Sequence, residues 1–327
     1  MEYRRLGKTG RTVSAIGFGA WAIGGGFGDV DDATSLNALH AAADAGVTLF
    51  DTADVYGDGR SEQLLGRLLR ERKGESLFVA TKMGRGAPLE MAKYTPEAFR
   101  GWIDRSRDNL GVDRLDLVQL HCLPTGVYYS PEIFAALDDL VSAGAIASYG
   151  VSVEKVEEAL KAIEFPGVAV VQIIYNIVRQ RPADRFLAEA ARRDVGVLAR
   201  VPLASGLLTG KMTRETVFDP SDHRQYNRRG ESFDVGETFA GLDYDTGLAV
   251  VEELRSLVPA GATLAQVALR WILMSDAVTA AIPGAKTPEQ ARSNAAAANL
   301  APLPPETMDR IARLYEERAK PLVHQRW

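Results

Sequence analysis

The chain has 327 residues, of which 46% are hydrophobic, and a formal net charge of −5. This mild acidity gives no reason to expect a nucleic-acid or membrane partner, and no apolar run is long enough to span a bilayer. Cys122 is the only cysteine, which excludes an internal disulfide. The first six residues lack the apolar core of a signal peptide. Both features indicate a reducing, cytoplasmic location.

Strand and helix patterns alternate along almost the whole chain, which predicts βαβ units around a parallel sheet. Residues 3–14 come first and predict a hairpin with Gly7 and Lys8-Thr9 at its turn, placed to plug the bottom of a barrel. Strands are then predicted at 15–18, 49–51, 77–81, 115–120, 148–151, 168–174, 195–200 and 278–282. A count of eight favours a (β/α)8 barrel.

Helices are predicted at 32–45, 61–70, 95–110, 131–143, 154–163, 183–193, 246–257, 264–274, 288–297 and 305–320. Ser61 is expected to be the N-cap of the second helix. Thr95-Pro96-Glu97 gives the third a cap, a proline at its first position and an acidic first turn. The last helix has no strand after it and is expected outside the barrel. No linker or low-complexity tract divides the chain, so residues 1–327 are interpreted as a single domain.

A long irregular segment at about 206–243 follows the seventh strand and is too long for an ordinary connection. We call it the insertion. Long loops at the C-terminal face of a barrel usually cover ligands. A lid over the site is therefore expected, and a disordered excursion is the alternative.

Three polar residues each follow a predicted strand: Asp51, Lys82 and His121. Tyr56 lies in the loop after the second strand. The C-terminal ends of barrel strands meet at one face, where chemistry is done. A phenol, an amine, a carboxylate and an imidazole in one pocket suit proton donation to a developing alkoxide. Cys122 is interpreted as packing rather than as a nucleophile, because no second motif supports thiol chemistry.

Taken in order, these motifs resemble the aldo-keto reductase superfamily over nearly the whole chain. The matching segments are Gly17-Phe18-Gly19-Ala20-Trp21, Leu49–Gly57, Val79-Ala80-Thr81-Lys82, Leu115–His121, Tyr149–Ser152, Val171–Asn176, Pro202–Lys211 and Ile282-Pro283-Gly284. The Gly-Leu-Leu-Thr-Gly-Lys motif and the long loop after it are similar to a bacterial branch that is often oligomeric, which leaves a homo-oligomer open for this chain.

The resemblance implies that Tyr56 is the general acid in carbonyl reduction and the base in the reverse reaction. A free tyrosine has a pKa of about 10, and a cationic Lys82 beside it is expected to lower that value. Asp51 would hold the amine charged and oriented, and His121 would hydrogen-bond the substrate carbonyl oxygen.

The resemblance also implies NADPH/NADP+ extended across the barrel top, and no metal. The Gly24–Gly28 loop lacks the strand–helix context of a Rossmann motif. Ser152 and Gln172 would bind the carboxamide, and Lys286 the 2′-phosphate at a helix N-terminus, with Gln290 close and Asn294 at the adenine. The remaining expected cofactor contacts are Gly19, Trp21, Pro202, Leu203, Gly206, Leu208, Gly210, Lys211 and Gly284.

Four positions depart from the family pattern. Val153 stands where many relatives have Asn. Gln290 stands where some have Arg and Ser293 where some have an acidic residue, and these two departures weaken the expected NADP preference. Arg200 stands where most relatives have an aromatic residue that stacks on the nicotinamide, and guanidinium planes also stack on π faces. The alternative for Arg200 is an ion pair with a nearby carboxylate.

Three functions are weighed from the sequence. The leading one is NADPH-dependent reduction of a small-molecule aldehyde or ketone. The second is a Schiff-base aldolase that uses Lys82, since a pocket lysine near a carboxylate suits that chemistry. The third is a nucleotide-binding regulatory subunit with little turnover. Nothing in the sequence names the substrate.

Overall fold

The chain begins with a two-stranded hairpin that closes one end of the barrel, as the sequence predicts. Strands β1 (Tyr3–Arg5) and β2 (Thr12–Ser14) pair antiparallel around a short 3-10 turn at Gly7–Thr9. The computed structural model describes all residues 1–327. Gly7 has φ +47, and a Cβ on it would lie 2.2 Å from the backbone nitrogen of Gly196. The hairpin therefore packs directly on the barrel backbone.

Eight parallel strands follow and form the (β/α)8 barrel. They are β3 Phe18–Gly19, β4 Leu49–Asp51, β5 Phe78–Met83, β6 Leu117–His121, β7 Tyr149–Ser152, β8 Val168–Ile174, β9 Gly196–Arg200 and β10 Ala280–Ala281. Each strand pairs with the next in chain order. Bridges from Ile16 to Ala281 and from Gly19 to Gly284 join the first strand to the last and close the barrel.

The interior of the barrel is filled by a separate small cluster of apolar side chains. Leu6 and Val13 of the hairpin join residues of six barrel strands there, such as Leu49 and Leu198, in a cluster of 11 buried residues. A larger cluster of 83 buried residues fills the space between the barrel and the helices. The hairpin and the interior side chains together exclude water from beneath the site, so chemistry is confined to the other end of the barrel.

Helices cover the outside of the barrel at positions close to those predicted. They are α1 Asp32–Asp44, α2 Arg60–Glu71, α3 Pro96–Leu110, α4 Pro131–Ser142, α5 Val156–Ala162, α6 Phe186–Arg192, α7 His223–Tyr226, α8 Tyr244–Arg255, α9 Leu264–Leu273, α10 Pro288–Ala296, α11 Pro305–Leu314 and α12 Lys320–Val323. No helix is both long enough and apolar enough to cross a membrane. The Thr95 cap of α3 is confirmed, since its side chain accepts from the Ala98 N–H.

Two local predictions were wrong. Ser61 is not an N-cap: α2 begins one residue earlier, after Gly59 at φ +94. The Ser61 hydroxyl is buried and donates to the Ala20 carbonyl instead, which fixes the helix to the first strand–helix connection. The final helix also ends at Leu314, where a π-type turn at Tyr315–Ala319 separates it from α12.

The insertion is ordered and packs over the barrel mouth. It contains 3-10 turns and the single α-helical turn α7. The chain pairs with the glycine-rich loop through an antiparallel bridge between Phe27 and Asp222. Trp327 holds the far end of the insertion, because its indole Nε1 donates to Asp234 Oδ1 at 2.9 Å and its ring lies 3.7 Å from the Arg179 guanidinium carbon.

Trp327→Ala should destabilise the protein, because the side chain is only 3% exposed and covers the buried Arg179 cation. Truncating a buried aromatic residue typically costs about 3–5 kcal/mol. Chemical denaturation of the variant measures this loss. Gln325→Ala is the matched control from the same segment, since Gln325 is exposed and should change stability little. Equal stabilities of the two variants would show that Trp327 does not anchor the insertion.

Candidate active site

The strand register brings the predicted residues to one level at the barrel mouth. Gly19 pairs with Asp51 across β3 and β4. His121 pairs with Ser152, and Ser152 with Gln172, across β6, β7 and β8. The carboxyl ends of parallel strands meet at the same edge. Residues that are up to 153 positions apart in the chain therefore face the same cavity.

The carboxylate, amine and phenol form a continuous hydrogen-bonded chain. Lys82 Nζ donates to Asp51 Oδ1 at 2.5 Å, to the Thr52 carbonyl at 2.8 Å and to Tyr56 Oη at 3.2 Å. Lys82 is fully buried and Asp51 is 3% exposed. Burial by itself would lower the pKa of Lys82, but the charge of Asp51 and the Tyr56 hydroxyl raise it above the ordinary value. The amine therefore stays charged.

The expected lowering of the Tyr56 pKa is not seen. Burial of the phenol outweighs the attraction of Lys82, and the nearby Asp51 opposes phenolate as well, so the net direction is upward. A neighbouring cation lowers the pKa of a phenol only where its attraction exceeds the cost of desolvating the phenolate, and at Tyr56 it does not. The phenol is consequently protonated at neutral pH, which is the form a proton donor needs.

His121 completes the set as a neutral imidazole. Its ring lies edge-on to Tyr56, with the centroids 5.8 Å apart. Burial, together with the positive charges of Arg85, Lys82 and Arg200, holds the pKa of His121 well below its usual value. A neutral ring that carries its proton on Nε2 can donate a hydrogen bond to a carbonyl oxygen.

Gln172 has a structural partner within the site. Its Nε2 donates to Asp51 Oδ2 at 2.7 Å and to Gln119 Oε1 at 3.3 Å. The second oxygen of Asp51 is thus fixed as firmly as the first. Gln172 still lines the cavity, as does Ser152, and its side-chain oxygen makes no hydrogen bond to another side chain. That oxygen and the Ser152 hydroxyl therefore remain available to a ligand in the cavity.

The other end of the cavity lies at the N-terminus of α10. Thr287 caps this helix by accepting from the Gln290 N–H. Lys286 Nζ reaches across the cleft and donates to the Phe27 carbonyl at 2.6 Å. Gln290 Oε1 accepts from the Lys286 N–H, and Asn294 Nδ2 donates to the Gly284 carbonyl. One cation and a helix N-terminus are thus presented together, an arrangement that suits a phosphate.

A single cavity of about 660 Å³ connects the two ends. Most of the predicted residues line it: Gly19, Trp21, Asp51, Tyr56, His121, Ser152, Gln172, Arg200, Pro202, Leu203, Gly206, Lys211, Gly284, Lys286, Gln290 and Asn294. Lys82 lies behind Tyr56 and Asp51. Leu208 is buried in the core and the Gly210 carbonyl accepts from Arg255, so neither reaches the cavity wall.

Arg200 is held by carboxylates, which is the alternative considered from the sequence. Its guanidinium lies 2.8 Å from a carboxyl oxygen of Glu154 and 3.7 Å from one of Glu237, and it donates to the Val153 carbonyl at 3.0 Å. It nevertheless lines the cavity. Cys122 packs against this group, and burial raises the pKa of its thiol, which fits an inert side chain.

The carboxyl groups of Glu154 and Glu237 have pKa values shifted in opposite directions. Burial, only partly offset by Arg200, raises the pKa of Glu154 to about 8. Burial also acts on Glu237, but Arg85 and Arg200 outweigh it and lower its pKa to about 2. The two carboxyl groups lie close enough to share a hydrogen bond. At neutral pH, Glu154 is therefore the protonated partner and Glu237 the ionised one.

The insertion supplies site residues that the sequence did not reveal. His223 is buried between Trp21 and Phe27, with ring centroids 4.6 and 4.5 Å away, and its Nδ1 donates to the Gly26 carbonyl at 2.9 Å. Glu237 is the other residue. No pattern in the irregular 206–243 segment distinguishes these side chains from solvated ones, because their burial depends on how the loop folds back.

Residues 15–316 match the model of the Aldo/keto reductase family. The chain belongs to this family. It is 31% identical to the aldo-keto reductase YhdN of Bacillus subtilis over 296 residues, 89% of this chain and 86% of that protein. It is 29% identical to the NADH-specific methylglyoxal reductase of Escherichia coli over 318 residues, 90% of this chain and 93% of that protein. Family membership makes the chain an oxidoreductase acting on carbonyl compounds.

A solved structure confirms the fold. The glycerol dehydrogenase of Gluconobacter oxydans superposes with a TM-score of 0.78 at 30% identity, over 97% of this chain and 95% of that one. The overall barrel fold is thus a shared frame. Differences in activity within this frame must come from the side chains at its mouth.

Glu154→Gln should change how stability depends on pH. Between the ordinary pKa of 4.5 and about 8, folded Glu154 holds a proton that the unfolded chain has released. The stability of the native protein therefore falls as pH rises through this window. Glutamine imitates the protonated form. From pH 5 to pH 8.5, the free energy of unfolding of the variant should therefore rise relative to that of the native protein by an amount on the order of a few kcal/mol.

Urea unfolding at a series of pH values measures this difference. Glu157→Gln is the control, because Glu157 lies three residues away with an exposed side chain. Parallel stability curves for native protein and Glu154→Gln would show that Glu154 is ionised throughout.

Proposed function

We propose that the protein reduces an aldehyde or ketone to an alcohol, with NADPH as the reductant and Tyr56 as the proton donor. The observation that carries this proposal is the 3.2 Å contact between Tyr56 Oη and Lys82 Nζ at the wall of the cavity, with His121 beside it. When bound, the nicotinamide supplies a hydride. Every other contribution comes from side chains of the chain itself.

The cavity fits a dinucleotide in both shape and chemistry. Its lining runs from Tyr56 and His121 at one end to the N-terminus of α10 at the other. Lys286 has three N–H donors, of which the Phe27 carbonyl takes one, so others remain for a phosphate. Ser152 and the Gln172 oxygen would hold the carboxamide, and Asn294 would lie at the adenine end.

The substrate oxygen is proposed to lie between Tyr56 Oη and His121 Nε2. His121 would orient the carbonyl by donating a hydrogen bond, and Tyr56 would transfer its proton as negative charge develops on the oxygen. Lys82 would stabilise the resulting phenolate, because its ammonium stays fixed at hydrogen-bond distance by Asp51. Donors already in place at the developing charge need no rearrangement during the reaction.

The aldolase alternative conflicts with the state of Lys82. Schiff-base formation needs a neutral amine, whereas Lys82 is buried in an ion pair that raises its pKa. The regulatory alternative does not conflict with the state of Lys82. A measurement of catalytic turnover distinguishes it from the reductase.

A cytoplasmic location and a homo-oligomer belong to the same proposal as expectations from the sequence. Arg200 is proposed to face the nicotinamide ring, with its charge largely offset by Glu237.

Tyr56→Phe should abolish reduction and leave NADPH affinity nearly unchanged, because the hydroxyl acts on the substrate and not on the nucleotide. Loss of a general acid typically costs about 10²–10⁴-fold in rate. NADPH oxidation with an activated aromatic aldehyde and nucleotide fluorescence titration are the two measurements. A variant that keeps more than about a tenth of the native kcat would remove Tyr56 from the role. Native protein that binds NADPH but oxidises none with any carbonyl would favour the regulatory subunit.

Lys286→Ala should raise the KM for NADPH about tenfold or more and hardly change that for NADH. The expected size follows from a charge-assisted hydrogen bond to the 2′-phosphate, about 1.5–3 kcal/mol. Lys211→Ala is the matched control: Lys211 is an expected cofactor contact on the cavity wall but is not at the N-terminus of α10, so its loss should affect NADPH and NADH alike. Equal changes for both nucleotides would place the 2′-phosphate elsewhere. The comparison is informative because a relative of this chain is NADH-specific.

A further inference from the structure

A buried glutamine beneath the cavity joins two parts of the site. Gln119 lies on β6, two residues before His121, and its side chain is fully buried. Alternate residues of a strand face the same side, so Gln119 points into the barrel between Leu117 of the interior apolar cluster and His121 at the mouth. It is not among the residues that line the cavity. A direct contact with substrate or nucleotide is therefore not its role.

Gln119, Asp51 and Gln172 form a closed triangle of side chains. They come from β6, β4 and β8, and alternate strands of an α/β barrel contribute the members of one interior layer. Gln119 Nε2 donates to Asp51 Oδ2 at 3.4 Å, and Gln119 Oε1 accepts from Gln172 Nε2 at 3.3 Å. The third side is the 2.7 Å contact from Gln172 Nε2 to Asp51 Oδ2. The catalytic ion pair and the free oxygen of Gln172 are thus linked through one amide.

Fold stability does not account for an amide at this position. Barrel layers are usually filled by bulky apolar side chains, and a buried polar group is unfavourable unless its hydrogen bonds repay the lost hydration. Both contacts of Gln119 are longer than the usual 2.7–3.2 Å for N–H···O bonds. An apolar side chain of equal length would fill the same space without that cost. The amide must therefore serve the groups that it contacts.

The contacts of Gln119 determine which end of the Gln172 amide faces the cavity. A glutamine amide has two N–H donors and one carbonyl oxygen. Asp51 and Gln119 accept from the nitrogen of Gln172, so its oxygen is the atom left for the cavity that this residue lines. Without the oxygen of Gln119, one N–H has no acceptor below the cavity, and the amide is free to turn that donor upward.

We propose that Gln119 is a positioning residue for the reduction, which keeps the Gln172 oxygen directed at the nucleotide carboxamide and the Asp51 carboxylate directed at Lys82. This inference rests on the function proposed above. It has a consequence for the ligand, because an oxygen in that place accepts an N–H. The site should therefore distinguish a nicotinamide, whose carboxamide has an N–H, from a ring that carries an acetyl group there.

The first test replaces the amide by an apolar chain of similar length, Gln119→Met. Fluorescence titration compares NADPH with its 3-acetylpyridine analogue, in which a methyl group replaces the carboxamide nitrogen. Native protein should bind NADPH about three- to tenfold more tightly than the analogue, the effect of one neutral hydrogen bond. Gln119→Met should lose most of this difference, and its kcat with an activated aromatic aldehyde should fall by a similar factor. Its stability to urea should be equal to that of the native protein or higher, which a structural role would not give.

Gln119→Glu tests the same contacts through pH. A protonated glutamic acid can donate to Asp51 and accept from Gln172 as the glutamine does, whereas its ionised form would face the Asp51 carboxylate, with Lys82 as the one cation of the adjoining strand. This variant should have nearly native kcat at low pH and should lose activity as pH rises, in a limb that the native protein lacks. Leu120→Met is the control from the same strand, and should change neither nucleotide discrimination nor the pH profile.

Two results would overturn the inference. One is a Gln119→Met variant with native kcat and native discrimination between the two nucleotides, and the other is equal affinity of the native protein for both. The proposed function fails separately, if native protein oxidises NADPH with no carbonyl compound. The nucleotide titrations need no turnover, so they would still show whether Gln119 orients Gln172.

Discussion

The ion pair between Lys82 and Asp51 is the interaction on which the site depends. Both groups are buried at the ends of adjacent strands, where an unpaired charge would be strongly unfavourable. Asp51 is further held by Gln172 through its second oxygen, and Lys82 by the Thr52 carbonyl. Removing one partner of such a pair typically costs about 3–5 kcal/mol. The pair therefore ties the chemistry of the site to the closure of the barrel.

Tyr56 shows why the pair has to be so well fixed. Burial alone would keep the phenol protonated and would make phenolate costly once the proton has left. A fixed ammonium 3.2 Å away reduces that cost without abolishing it. The balance leaves a phenol that is protonated at neutral pH beside a fixed positive charge, as the proposed role of proton donor requires. An exposed lysine could not do this, because solvent would screen its charge.

A second charged group, made of Arg85, Glu154, Arg200 and Glu237, joins the insertion to the barrel. Only Glu237 comes from the insertion, and it contacts both arginines. The same residue that holds the lid thus also orients Arg85 toward His121. Trp327 and Asp234 fix the neighbouring segment from outside. The positions of both arginines and of the lid are consequently linked through one carboxylate.

The alternation of strand and helix patterns determined the barrel, because eight apolar strands separated by helices can bury themselves in few other ways. Spacing and motif order likewise identified Asp51, Tyr56, Lys82 and His121, since each follows its own strand and barrel geometry gathers strand ends. The predicted start of a helix was wrong where a buried side chain hydrogen-bonds outside its own helix, as Ser61 does. The π-type turn after Leu314 also gave no local signal.

Only the tertiary structure decided the electrostatics. The direction of the Tyr56 pKa depends on desolvation, which no sequence pattern states. The pairing of Arg200 with Glu237 and the burial of His223 both depend on where an irregular loop of nearly forty residues folds back. Such a loop has no periodicity to read, because its side chains are placed by long-range contacts rather than by a repeating backbone. The sequence thus determined the barrel and which polar groups meet at its mouth, and the tertiary structure determined the charge states of those groups and the loop residues that pack against them.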